Sequence, residues 1–92
     1  MKEVATTRYY AGEPMRTAAY AGKDRILSFM SSFEPVAAAA GYVRDEVTGE
    51  YVSGLTELAY EYGDWEWYQR DIYHLDKYNL ELEPEFVATA LS

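Results

Sequence analysis

Two side-chain pairs in this sequence have the spacing to do chemistry on a helix. They are Asp71 with His74, three apart, and Glu57 with Glu61, four apart. Residues at those separations share a helix face, and carboxylate–histidine pairs so placed ligate metals in helical bundles. A di-metal site of that kind needs two such Glu/His motifs and two further carboxylates from separate helices. The chain has one histidine and no cysteine, so the ligand set is incomplete and a thiolate nucleophile is excluded. A Ser-His-Asp relay could draw only on His74, and no nucleophile elbow presents a serine to it. The glycines stand alone, without a phosphate-loop pattern, and the stretch DEVTGE lacks the ligand rhythm of a calcium loop. The residues therefore point to a protein that is not an enzyme and carries no metal and no cofactor.

What stands out instead is a stretch in which rings and charges alternate. YEYGDWEWYQRDIYHLDKYN, residues 60–79, holds five tyrosines, two tryptophans, five carboxylates and the one histidine. A core favours the rings and rejects the charges, whereas a plain solvated face does the reverse. A surface that binds another macromolecule can use both, since Tyr, Trp and Arg are enriched at binding hot spots. The charge is also lopsided. Residues 1–44 carry six bases and four acids, a net +2, and residues 45–92 carry two bases and twelve acids, a net −10. Such a half repels nucleic acid and anionic membranes and attracts basic protein surfaces. Arg8, Arg16, Lys23 and Arg25 are too few to offset it, so neither direct nucleic-acid binding nor membrane binding is expected.

The elements that must carry these residues fit one domain, residues 1–92. The opening MKEVATTRYY has no signal-sequence pattern, and no apolar run approaches the roughly 20 residues that span a bilayer. A soluble, cytoplasmic protein is the expectation (in the host cell's cytoplasm, were it phage-encoded). Residues 3–10 read as a strand, with 16–21 as a return strand or, given its alanines, a short helix. Ile26, Leu27, Met30 and Phe33 recur at helical spacing behind Asp24 as a cap and before Pro35 as a stop. A hairpin is expected near 41–52 about Thr48-Gly49. Helices are then expected over 54–62, capped by Ser53 and stopped by Gly63, and over 65–78. A last helix opens at Pro84. The expected fold class is α+β: a short antiparallel sheet, made of N-terminal strands and the 41–52 hairpin, packed with three to four helices, the C-terminal half mainly helical.

On a helix over 65–78, Trp65, Tyr68, Ile72 and Leu75 form one stripe, which serves the core. Trp67, Asp71, His74 and Tyr78 form a second, which the core does not require. The expected partner-binding surface is therefore Glu57, Glu61, Asp64, Glu66, Trp67, Asp71, His74, Asp76 and Tyr78. Its carboxylates would imitate the regular charge of a nucleic acid, one negative charge per roughly 1.7 Å of duplex axis, with Trp67 and Tyr78 as anchors. The partner so implied is a larger protein with a basic nucleic-acid-binding surface. Small acidic phage and plasmid proteins that antagonise restriction or CRISPR systems use this strategy of nucleic-acid mimicry. No motif ties the chain to any family of them. The alternative is a regulatory or assembly module, compatible with a homo-oligomer, whose aromatic helix face is a subunit interface.

Overall fold

The computed structural model describes residues 1–92, the side chain of Ala40 excepted. Four strands form one sheet: β1 (Lys2–Glu3), β2 (Ala37–Arg44), β3 (Tyr51–Tyr62) and β4 (Trp65–Tyr68). Their spatial order is β1-β4-β3-β2. β2–β3 and β3–β4 pair antiparallel and β1 pairs parallel to β4, so the sheet is mixed. Three α-helices complete the fold: α1 (Lys23–Ser31), α2 (Gln69–Tyr78) and α3 (Pro84–Leu91). The architecture is roughly α+β. It corrects the expected antiparallel sheet with a mainly helical C-terminal half, because the sheet is mixed and about a third of that region is strand.

The largest correction is residues 54–62, expected as a helix and found as the second half of β3. Leu55, Leu58, Ala59 and Tyr62 do fit a helical stripe, but Leu58, Tyr60 and Tyr62 also alternate with Glu57, Ala59 and Glu61 at the strand period of two. Here the strand period wins, with Tyr60 buried, Leu58 packed on the core and Glu61 exposed. WEWY continues the alternation as β4. Gly63 and Asp64 form a two-residue turn between the paired Tyr62 and Trp65, and Gly63 supplies φ 59°. The Gly63-Asp64 dipeptide, expected as a helix stop and a helix cap, is a hairpin connection. The turn at Thr48-Gly49 in turn closes strands much longer than residues 41–52.

The expected N-terminal strands are also replaced. Only Lys2–Glu3 is strand, Tyr9–Ala11 is a single 3-10 turn, and 16–21 makes one isolated bridge, Thr17 to Leu80. The 79–83 segment ties these pieces together. Val4 and Arg16 carbonyls accept the Glu83 and Glu81 amides, and the Asn79 and Glu81 carbonyls accept the Ala18 and Thr6 amides. Backbone groups without ladder partners are thus satisfied by a central irregular strand.

One core joins these parts: Val4, Tyr9, Ile26, Met30, Tyr60, Trp67, Ile72, Leu75, Leu80, Leu82, Phe86 and Ala90. α1 buries Ile26 and Met30, four apart. Its N-cap is Gly22 and not Asp24, which lies in the first turn. A Cβ on Gly22 would stand 2.7 Å from a Leu91 methyl, so glycine lets the start of α1 meet the end of α3. α3 begins with Pro84, where a missing N–H costs nothing.

Candidate protein-binding surface

Five of the nine expected surface residues are engaged in holding the fold. Trp67 is fully buried. Its ring stacks on Tyr60 at 6.0 Å, meets Phe86 at 5.4 Å and donates its indole N–H to the Met30 carbonyl at 3.1 Å. It is a core residue because β4, not a helix, carries it. Asp71 is buried at the third position of α2. One carboxylate oxygen accepts the Tyr68 N–H at 2.9 Å, which caps the start of α2, and the other accepts the Tyr9 hydroxyl at 2.8 Å. Burial pushes the Asp71 carboxyl up to about 6, against the lowering effect of those two donors and of Arg70. Burial, with Asp71 beside it, likewise holds the Tyr9 phenol well above its ordinary range.

His74 is fully buried and both ring nitrogens are used. Nδ1 lies 2.6 Å from the Arg70 carbonyl and Nε2 accepts the Glu46 N–H at 3.0 Å, so the ring is the neutral Nδ1–H tautomer. Burial lowers its pKa; the Arg70 carbonyl and the Asp45 and Glu46 carboxylates oppose the shift. Tyr78 is half-buried and donates its hydroxyl to Asp45 at 2.6 Å. The Asp71–His74 pair is thus a helix cap and a loop clasp. Among the described residues no group of three or more His, Cys, Asp or Glu side chains is placed to hold a metal ion. Glu57 also turns inward: it accepts the Arg70 N–H at 3.1 Å and pairs with the guanidinium at 3.4 Å. That guanidinium is sandwiched between Tyr10 and Tyr68, 3.9 and 4.2 Å from their centroids.

These contacts have a pH consequence. His74 has a lowered folded pKa, so its contribution is complete above the unfolded value near 6.5 and is lost as pH falls. Asp71 has a raised folded pKa, so its contribution is complete below 3.8 and is lost as pH rises through about 6. In His74→Gln only the Asp71 effect remains. Urea unfolding at pH 5, 6 and 7 should show wild type losing stability relative to the variant as pH falls, by up to about 1.4 kcal/mol per pH unit. A difference constant across that range would show that His74 is not held neutral.

Glu61, Asp64, Glu66 and Asp76 remain available. The strand register aligns two of them with a residue the sequence did not single out. Glu3 on β1 pairs beside Glu66 on β4, and Glu66 pairs opposite Glu61 on β3. Paired residues point to one face of a sheet, and neighbouring strands lie about 4.8 Å apart. The three carboxylates therefore form a row across three adjacent strands, on the face opposite Tyr60 and Trp67, with Asp64 at the adjoining turn. Among the described residues neither Glu61 nor Glu66 forms an ion pair, and Glu3 accepts the Tyr10 hydroxyl. Asp76 is exposed on another element, α2, and does not join the row.

No family model, no curated protein and no solved structure matches the chain.

The surface rests on its own geometry. Glu3 could be placed in it only through the parallel β1–β4 pairing, which no local pattern in the sequence announces. The most exposed large rings are not carried by α2 either: Tyr42 and Tyr51, 63% and 70% exposed, line a groove on the β2–β3 hairpin. No helix among the described residues is long and apolar enough to cross a membrane.

Proposed function

We propose that this chain is a binding protein that covers the basic, nucleic-acid-binding surface of a larger protein and blocks it, as an anti-defence inhibitor of a nuclease would. The observation that carries this reading is the Glu3–Glu66–Glu61 row. Like charges directly opposite one another destabilise a sheet. A protein of this size, with about 5–14 kcal/mol of stability in all, retains the row with no ion pair to Glu61 or Glu66 among the described residues. A partner's lysines and arginines would supply that offset. The −10 charge of residues 45–92 supports the same reading, by steering a basic partner toward this half. The assembly-module alternative relied on an aromatic face of a helix over 65–78, and Trp67 and His74 of that expected face are spent inside the domain.

Capture from a host lysate at low and high salt identifies the partner. Association rates across a salt series then test the mechanism, with wild type, with Glu61→Gln/Asp64→Asn/Glu66→Gln, and with a competing duplex. The expected result is association slowed about tenfold or more by high salt and by the triple variant, with dissociation changed less. The duplex should exclude the chain from its partner. Binding insensitive to all three would remove the row and mimicry together.

A further inference from the structure

At the β1 edge of the sheet, an open cavity of about 420 Å³ lies over Trp65 and is lined by Lys2, Glu3, Trp65, Glu83, Pro84 and Glu85. Three of its six lining residues are carboxylates and one is the half-buried Trp65, whose ring is fixed edge-on against Phe86 at 5.4 Å. An aromatic face among carboxylates is the chemistry that receives a cation. A cation is already there: Lys2 Nζ stands 5.4 Å from the Trp65 centroid and 3.7 Å from a Glu85 carboxylate oxygen.

Lys2 is held weakly. The Lys2 and Glu85 side chains are 60% and 81% exposed, and a pair that open to water contributes little. The contact to Trp65 lies near the outer limit of about 6 Å for a cation–π interaction. Glu83 makes no ion pair among the described residues. One lysine therefore shares the cavity with Glu83 and Glu85 and pairs with only one of them, and its long flexible stem can withdraw without disturbing a buried contact.

We propose that this cavity receives a lysine or arginine side chain of the protein partner, and that Lys2 occupies the place of that side chain until it arrives. The inference rests on the reading of the chain as a binder of basic surfaces and gives that surface a specific anchor. Glu3 lines the cavity and also stands in the acidic row, so the two meet at the β1 edge of the sheet. The row supplies spaced charge, and the cavity supplies a ring on which one cationic side chain of the partner is desolvated.

A hexa-arginine peptide, titrated at low salt into the full chain while the indole N–H signals are followed by NMR, tests this. The Trp65 signal should shift on binding and the buried Trp67 signal should not. Lys2→Gln should tighten binding about threefold or more, and Arg16→Gln, the same charge change on an exposed side chain elsewhere, should do less. Glu83→Gln/Glu85→Gln should weaken binding about fivefold and reduce the Trp65 shift. Glu61→Gln/Glu66→Gln should weaken binding and leave that shift in place. Peptide that binds with a silent Trp65 signal, or equal effects of Lys2→Gln and Arg16→Gln, would overturn the cavity and leave the row standing. Peptide that does not bind at all would overturn both.

Discussion

Truncating Trp67 to alanine should cost about 4–5 kcal/mol and leave a domain of this size largely unfolded or marginal, whereas Trp65→Ala should cost about 2 kcal/mol and leave it folded. Trp67 has no exposed surface and touches rings from every layer: Tyr60 on β3, Phe86 on α3, and Phe29 and Phe33 in and just after α1. Its removal opens a cavity among groups that cannot collapse together, because the sheet and two helices would all have to move. It also orphans the Met30 carbonyl that accepts the indole N–H. Trp65 is half-buried at the rim, so its loss exposes Phe86 more than it empties the core. Trp67→Phe separates the two contributions: it keeps most of the apolar contact, loses the hydrogen bond, and should cost about 1–2 kcal/mol. Urea denaturation of the three variants decides the matter. Equal losses for the two alanine variants would place both tryptophans equally in the core.

The order of those two tryptophans is the reverse of what a helix over 65–78 implies, and the reason lies in periodicity. On a helix, Trp65 and Trp67 stand about 200° apart, so one of them must leave the core. On a strand they share a face, and the residue nearer the middle of the sheet is buried deeper. Over a segment as short as WEWY both periods can be fitted. The strand reading needed Gly63-Asp64 to be taken as a hairpin turn joining two alternating runs. The helix that does form, Gln69–Tyr78, is legible at its C-terminal end, where Asn79 stops it at φ 59°, ψ 48°; its start, expected after Asp64, lies at Gln69, where Asp71 at the third position caps it. The acidic bias of residues 45–92 was also legible, since it is composition. Which acids face solvent was not. Glu57, Asp71 and Asp45 are drawn inward by Arg70, Tyr9, Tyr73 and Tyr78 through contacts spanning 13 to 62 residues of sequence, and such distances leave no local mark.

Replacing Asp45 by alanine should cost on the order of 3 kcal/mol and free the β2–β3 loop from α2. Asp45 is 3% exposed and its two oxygens do different jobs. Oδ1 accepts the Val47 and Thr48 amides at 2.8 and 3.0 Å, which shapes the loop. Oδ2 accepts the Tyr73 and Tyr78 hydroxyls, each at 2.6 Å, and stands 3.7 Å from Lys77 Nζ, which ties the loop to the last turns of α2. Burial alone would raise the pKa of this carboxyl. The hydrogen bonds from Tyr73, Tyr78, Thr48 and Val47 outweigh burial and hold it below the usual carboxylate range. Its contribution to stability is therefore complete above the unfolded value of 3.8 and is lost as pH falls below it. Asp45→Asn separates the two jobs. An amide oxygen can replace Oδ1 toward the loop amides, but the amide nitrogen would face two hydroxyls and an ammonium with no carboxylate to receive them. Asp45→Asn should therefore keep the turn at Thr48-Gly49 and lose the tie to α2, at a cost smaller than that of alanine. Hydrogen exchange distinguishes these outcomes. In the asparagine variant the Val47 and Thr48 amides should stay protected, while the Glu46 amide, which His74 accepts at 3.0 Å, exchanges faster. In the alanine variant all three should exchange faster. Unchanged protection of the Glu46 amide in both variants would show that His74 alone fastens the loop, and that the tyrosine hydroxyls merely rest on Asp45.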